Sequence, residues 1–375
     1  MSVALRVLFA GGGTGGHLFP AIAIADELKK IEPSAEITFV GTEDKIEARV
    51  VPQTGYGFRT IWISGFQRRL KLKNILFPIK LIVSIFQTYY ILKKIKPHVV
   101  VGTGGYVSGP VLRTAVYRKI PTLIQEQNSY PGVTTRLLAP RVNEVHVTFE
   151  QSLKYFSGIE NVYVTGNPTR GTLEDVDNKA AMRYFGFDAE DKRTTILVLG
   201  GSLGAQTINR AVEEILLKLV DAGSRVIWQT GADNFITYSE IKKTFSVQTV
   251  SVNAFIERMD YAYCAADVVI SRAGATTIAE LTRLGKPAIL VPYPHAAADH
   301  QTENALSLAS AGAALVVDDS KLPVELDAVL KKILDRKVMA EMSMKSKMFG
   351  KPDAAMKIAK RIITLAGAYG NSNNI

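Results

Sequence analysis

A chain of 375 residues, 47% of them apolar, is long enough for two ordinary hydrophobic cores and too apolar for a disordered polymer. Its single cysteine, Cys264, excludes an internal disulfide and fits a reducing compartment. The formal net charge of +10 is uneven: residues 1–168 hold 20 Lys and Arg against 11 Asp and Glu, while residues 169–375 hold 25 against 24.

The chain starts without the basic segment of a secretory signal, and Arg6–Ala10 reads as the first strand. Further strands are predicted at Glu36–Val40, Val99–Gly102, Pro121–Gln125, Val145–Thr148 and Val162–Thr165, alternating with helical stretches. The same alternation returns at Thr195–Leu199, Arg225–Gln229, Val247–Val252, Asp267–Ile270, Ala288–Val291 and Ala314–Val317. Runs rich in β-branched residues without polar alternation are the pattern of strands buried on both faces, so the fold class is α/β with doubly wound parallel sheets. The domains are predicted as 1–168 and 169–350, divided at Gly166-Asn167-Pro168-Thr169-Arg170. A last helix, about 353–366, lies beyond the second domain's final strand and is expected to pack back on the first domain. The tail from Gly370 reads as disordered.

No acid occurs between Glu47 and Glu126, a stretch that holds 13 Lys or Arg. Within it, Arg68, Arg69, Lys71 and Lys73 precede an apolar run with Leu76, Ile79 and Phe86, interrupted by Pro78, Lys80 and Ser84. The run is too short and too broken for the roughly 20 apolar residues of a membrane span. Two readings stand: a helix buried on a parallel sheet with a solvated basic rim, or a helix resting on anionic lipid headgroups, which the missing acids favour. No motif that reads nucleic acid accompanies the charge.

Two glycine-rich turns stand 188 positions apart, each closing an apolar strand and opening a helix: Gly11-Gly12-Gly13-Thr14-Gly15-Gly16-His17 and Gly200-Gly201-Ser202-Leu203-Gly204-Ala205. Glycine permits a tight turn close to a ligand, and the N–H groups of the helix that follows favour an anion. Facing each other across a cleft, two such turns would suit a phosphorylated donor and a second phosphorylated molecule. The first also matches the dinucleotide fingerprint, but that motif expects an acid after the second strand, where Val40-Gly41-Thr42 stands. Ser271-Arg272-Ala273-Gly274-Ala275-Thr276-Thr277 opens another helix, in which Glu280, one turn in, could bridge two ribose hydroxyls or simply complement the helix dipole. The one Asp-x-Asp pair, Asp175-Val176-Asp177, lies in a polar turn away from every glycine loop, and the five histidines lack zinc spacing.

These turns, with Thr103-Gly104-Gly105-Tyr106, Gln125-Glu126-Gln127-Asn128, Gly166-Asn167-Pro168-x-Arg170 and Asp299-His300-Gln301-x-x-Asn304, run in order over residues 11–305. In that order the chain resembles the MurG family of bacterial glycosyltransferases. The resemblance implies the GT-B fold, two Rossmann-like domains facing a cleft, and transfer of N-acetylglucosamine from UDP-GlcNAc to undecaprenyl-diphosphate-linked lipid I, giving lipid II. It further implies a peripheral place on the cytoplasmic face of the cell membrane, an anionic membrane surface and lipid I as partners, and no cofactor or metal. The relatives that remain as alternatives are a UDP-GlcNAc epimerase, which needs no membrane, and a non-catalytic lipid-binding protein.

By resemblance, the donor contacts Thr14, Gly15, Gly16, Asn128, Arg170, Ser202, Ile256 (backbone against uracil), Ala275, Thr276, Thr277, Glu280 and Gln301. The acceptor diphosphate would meet Gly13, Gly104, Gly105 and Tyr106. Arg170 and Ser202 suit a leaving diphosphate, on which charge develops as the glycosidic bond breaks. The amide of Gln301 could both donate to and accept from sugar hydroxyls. His17 is the candidate base for the acceptor's C4 hydroxyl, or else a residue that shapes loop 11–16; Glu126 is its rival.

Overall fold

The computed structural model describes residues 4–65, 76–171, 173–201, 204–296 and 299–372. Arg68, Arg69, Lys71, Lys73 and Ser202 lie outside the described residues. The strands of the first half are β1 (Arg6–Gly11), β2 (Glu36–Gly41), β3 (Gly57–Thr60), β4 (Val99–Gly104), β5 (Thr122–Glu126), β6 (Glu144–Val147) and β7 (Val162–Val164). Those of the second half are β8 (Thr195–Leu199), β9 (Arg225–Gln229), β10 (Val250–Asn253), β11 (Val268–Arg272), β12 (Ala288–Val291) and β13 (Leu315–Val316). They form two wholly parallel sheets, ordered β3-β2-β1-β4-β5-β6-β7 and β10-β9-β8-β11-β12-β13.

Burial explains the parallel pairing. Leu8 and Ala10 of β1 enter one core with Val40 and Val100, while Val7 and Phe9 enter the other with Phe39, Val99 and Val101. A strand covered on both faces must be apolar at every position, which is why these segments do not alternate. Contacts divide the chain into Met1–Arg170 with Pro352–Ile375, and Gly171–Lys351. The helix Ala354–Ser372 therefore belongs to the first unit, where Ile358, Ala359 and Ile362 are fully buried beside Leu18 and Ala21. It runs past Gly370, so the disorder read into the tail is corrected as far as Ser372; residues 373–375 lie outside the described residues.

Two strand expectations are also corrected. β3 has no counterpart in the sequence reading: it is a short edge strand, Gly-Phe-Arg-Thr, with alternating exposure and none of the apolar continuity of its neighbours. β10 begins at Val250 rather than Val247, because Ser246 first holds a turn through its carbonyl to Thr249 N (2.9 Å) and its hydroxyl to Gln248 N (3.2 Å).

The acid-free stretch contains the helix Phe77–Ile95, which is apolar on two sides: Phe77, Leu81, Ile91, Leu92 and Ile95 pack on the core of the first unit. Its buried residues are Ser84, Thr88 and Leu92, whereas Ile79 (52% exposed), Ile82, Phe86 (62%) and Tyr90 face outward, with Leu76 just before them. The inward hydroxyls are satisfied locally, Ser84 on Leu81 O and Thr88 on Ser84 O, both at 2.7 Å. Among the described residues no helix is long and apolar enough to cross a membrane.

In each sheet the strand order reverses once, between β1 and β4 and between β8 and β11. Loops leaving such a pair diverge and open a crevice at the strands' carboxyl ends, the usual ligand position in this fold class. Both glycine turns and the Gly274–Thr277 turn leave from these strands.

Candidate active site

In the first unit the loop after β1 passes through Gly13, at φ +84°, into the helix Gly15–Ile31. A carboxylate lies behind it. Glu47, 1% exposed, accepts from Gly13 N (2.9 Å), Thr42 N (3.1 Å) and Thr42 Oγ1 (3.0 Å). A Cβ at Gly12 would stand 2.4 Å from Glu47 Oε1, so this close approach requires glycine. Gly13, expected on the acceptor diphosphate, has its N–H engaged by Glu47. Thr14 is the exposed residue preceding the helix, and its carbonyl accepts from His17 N and Leu18 N (both 3.2 Å). Gly15 and Gly16 supply the first-turn amides, where a helix favours negative charge.

His17 is half-buried against the turn after β4. A Cβ at Gly104 (φ +103°) would fall 2.6 Å from its Nδ1, and one at Gly105 (φ +76°) would fall 2.5 Å from Gly12 O and 3.4 Å from the ring. The two glycines form the seat of the imidazole. Nδ1 lies 3.1 Å from Thr103 O and 2.9 Å from Gln127 Oε1. Thr103 closes the arrangement by donating to His17 O at 2.8 Å. Tyr106 stands over Gly13 and Gly65, and burial keeps its phenol protonated above the ordinary range.

Glu126, the rival base, is 3% exposed and committed to its own loop: Oε1 accepts from Asn128 N (3.1 Å) and Oε2 from Gly132 N (3.0 Å). It staples the loop that presents Asn128, and as a base it stands as the alternative to His17. Arg170 lies with its guanidinium 4.3 Å from the centroid of the Phe19 ring, inside the first unit rather than the second.

In the second unit, Gly274 precedes the helix Ala275–Leu284, so Ala275, Thr276 and Thr277 form its first turn. The Thr276 hydroxyl is buried and has no hydrogen-bond partner among the described residues. Glu280 follows one turn later, its Oε2 accepting from the buried Tyr263 hydroxyl at 2.9 Å. Arg272 does not point to a ligand role: it bonds Val291 O, Pro292 O and Asp319 Oδ1 (2.5 Å) and ties the ends of β11 and β12 together. Ile256, 2% exposed, donates its N–H to Gln229 Oε1 at 2.9 Å, while Gln229 Nε2 donates to Gly201 O at 3.0 Å. A base reading the Ile256 N–H would share it with that amide. Gln301 Oε1 accepts from Tyr293 N at 3.0 Å. Asp177 of the Asp-x-Asp pair caps a helix through Lys179 N and Ala180 N.

Glu47, Gln127, Gln229 and Tyr263 were not singled out from the sequence. One signal was there: Gln125 and Gln127, two apart along β5 and its continuation, fall on one side, and amides in so apolar a setting must be bonded.

Residues 7–147 match the glycosyltransferase family 28 N-terminal domain and residues 195–358 its C-terminal domain. Fold and matched domains together define a two-unit α/β glycosyltransferase. More narrowly, the chain belongs to glycosyltransferase family 28, within the MurG group. It is 44% identical over 365 residues to a Christiangramia forsetii protein, covering 96% of this chain and 98% of that one. Identity to a Chlorobaculum tepidum protein is 45% over 369 residues, covering 96% and 100%. Both are named UDP-N-acetylglucosamine--N-acetylmuramyl-(pentapeptide) pyrophosphoryl-undecaprenol N-acetylglucosamine transferase. The crystal structure of Acinetobacter baumannii MurG superposes with a TM-score of 0.75 at 28% identity, over 96% of this chain and 99% of that one. A Neisseria meningitidis UDP-GlcNAc 2-epimerase shares the fold, with a TM-score of 0.67 at 15% identity over 96% and 100%.

Proposed function

We propose that this chain transfers N-acetylglucosamine from UDP-GlcNAc to the C4 hydroxyl of the N-acetylmuramyl residue in undecaprenyl-diphosphate-linked lipid I, with inversion, forming lipid II for peptidoglycan. The observation that carries the reading is near-full-length identity of 44–45% to proteins named for that transfer. In the second unit, the first turn Ala275–Thr277 would take the nucleotide diphosphate, Glu280 the ribose and Gln301 the sugar. In the first unit, Gly16 and Gly104–Gly105 would line the acceptor's diphosphate, and His17 Nε2 would face its hydroxyl.

The chemistry is a single displacement. The acceptor O4 forms a bond to C1 of the sugar as the C1–O bond to UDP breaks; UDP leaves with the electron pair, and the O4 proton passes to His17. Charge building on UDP would be met by the helix start at Ala275–Thr277, so the reading calls on no metal or cofactor. The outward apolar face of helix Phe77–Ile95 would rest on the cytoplasmic face of the membrane, with the basic stretch before it on anionic headgroups. That placement makes the protein peripheral and supplies the lipid-linked acceptor.

Acceptor-dependent UDP release tests the proposal. UDP should appear only when UDP-GlcNAc and a polyprenyl-diphospho-N-acetylmuramyl peptide are both present, undiminished by a chelator. His17→Ala should lower turnover roughly 10²–10⁴-fold with nucleotide affinity nearly intact. Release without acceptor, or none in its presence, would return the chain to the epimerase or lipid-binding alternatives.

A further inference from the structure

We propose that Gln127 is a positioning residue whose side-chain amide fixes His17 in the tautomer protonated at Nδ1, so that Nε2 is kept unprotonated for the acceptor's hydroxyl; this rests on the reading of His17 as base. The amide's orientation follows from its surroundings. Gln127 is 2% exposed, and its Nε2 donates to Thr103 O (2.8 Å), Gln125 O (3.1 Å) and Gln125 Oε1. Two of these neighbours, the main-chain carbonyls of Thr103 and Gln125, accept only, so the NH₂ must face them, and the reversed amide would bury oxygen against oxygen.

With the NH₂ so placed, Oε1 faces His17 Nδ1 at 2.9 Å. The second atom near Nδ1, Thr103 O at 3.1 Å, is also an acceptor. Nδ1 can satisfy both only by carrying a hydrogen, and in neutral imidazole that leaves the lone pair on Nε2. The relay extends one step back. Gln125, fully buried, places its Nε2 3.3 Å from Asn167 Oδ1 and its Oε1 on Gln127 Nε2. Asn167, 3% exposed, belongs to the segment that ends the first unit. Three buried carboxamides from two parts of the sequence thus form a line, of which Gln127 touches the ring nitrogen, and Gly104 and Gly105 leave the room in which the ring sits.

A carboxamide suits this position better than a carboxylate. It fixes the tautomer just as a carboxylate would, but adds no negative charge beside a site meant for a diphosphate.

Ring ¹⁵N chemical shifts of the full chain labelled with ¹⁵N-histidine test the proposal, with His17 assigned by the signals lost in His17→Ala. In the wild-type protein, neutral His17 should show Nδ1 protonated and Nε2 unprotonated. Gln127→Met should populate the opposite tautomer and lower kcat roughly 10–100-fold, the usual cost of losing a partner that orients a functional histidine, while KM for UDP-GlcNAc stays within about twofold of wild type. A wild-type His17 protonated at Nε2 overturns the relay, as does a Met variant with unchanged tautomer and kcat. The wild-type spectrum decides alone if the variant does not fold. The tautomer does not depend on catalysis: full turnover by His17→Ala would end the base reading and leave the shifts standing, whereas an inactive His17→Ala with the wrong wild-type tautomer would end only the relay.

Discussion

Glu280 accepts from the hydroxyl of Tyr263, a residue 1% exposed, which helps aim the carboxylate before any ligand arrives. If Glu280 holds ribose, Glu280→Ala should weaken UDP and UDP-GlcNAc alike by about 1.5–3 kcal/mol, and Tyr263→Phe by about 1 kcal/mol through lost aim. Calorimetry on folded variants reads both; unchanged UDP affinity in Glu280→Ala removes it from the nucleotide site. At this scale the sequence exposed the residues that sit on motifs and hid those that support them. Glycine turns, His17 and Glu280 stand at strand-to-helix junctions, which local pattern marks. Glu47 meets Gly13 across 34 positions and Gln127 meets His17 across 110, and no periodicity carries such a pairing. The bonds by which Glu126 staples its loop, to Asn128 N and Gly132 N, likewise show only in the structure.

Among elements, the helix Phe77–Ile95 is the one whose partner composition could not name. Its length and apolarity were legible, but which face turns inward depends on the neighbouring sheet, and the structure buries Ser84 and Thr88 while leaving Ile82 and Phe86 outside. An exposed apolar face of this kind marks a contact with something apolar. Phe86→Ser should weaken binding to anionic vesicles roughly tenfold, the worth of about 1.5 kcal/mol for one apolar side chain taken from water. Reversing charge at Arg68, Arg69, Lys71 and Lys73 should remove the salt-dependent part of that binding. Co-sedimentation equal to wild type in both variants would return the helix to an ordinary surface. The buried strands were legible as uninterrupted apolar runs; β3 was not, because an edge strand covered on fewer sides has no need of one.

Across the whole molecule, the last helix ties the end of the chain to the first unit. Arg361 bonds both carboxylate oxygens of the buried Glu144, which also accepts from His146 Nε2 at 3.0 Å. Burial alone would raise the Glu144 carboxyl, but the hydrogen bonds from His146 and Arg361 and the Arg361 charge outweigh it and hold the carboxyl below its usual range. A carboxyl lowered in the folded state adds stability that is fully present above its unfolded pKa and is lost as pH falls through the folded one. Arg361→Gln should therefore cost about 1–3 kcal/mol in thermal melts at neutral pH, and the gap from wild type should close once the solution is acid enough to protonate Glu144. A gap that is constant across pH would contradict the ion-pair account. The duplicated α/β plan was legible because both halves repeat strand, glycine turn and helix; that the final helix joins the first sheet rests on packing at Ile358 and Ile362. The central claim is a sugar moved from nucleotide to lipid, and the linkage in the product tests it most directly. With isotope-labelled UDP-GlcNAc and a polyprenyl-diphospho-N-acetylmuramyl peptide, NMR of the lipid product should show N-acetylglucosamine β-linked to C4 of the muramyl sugar, one per UDP released. Label that stays on the nucleotide as its 2-epimer, or reaches the lipid with its α configuration retained, would contradict it.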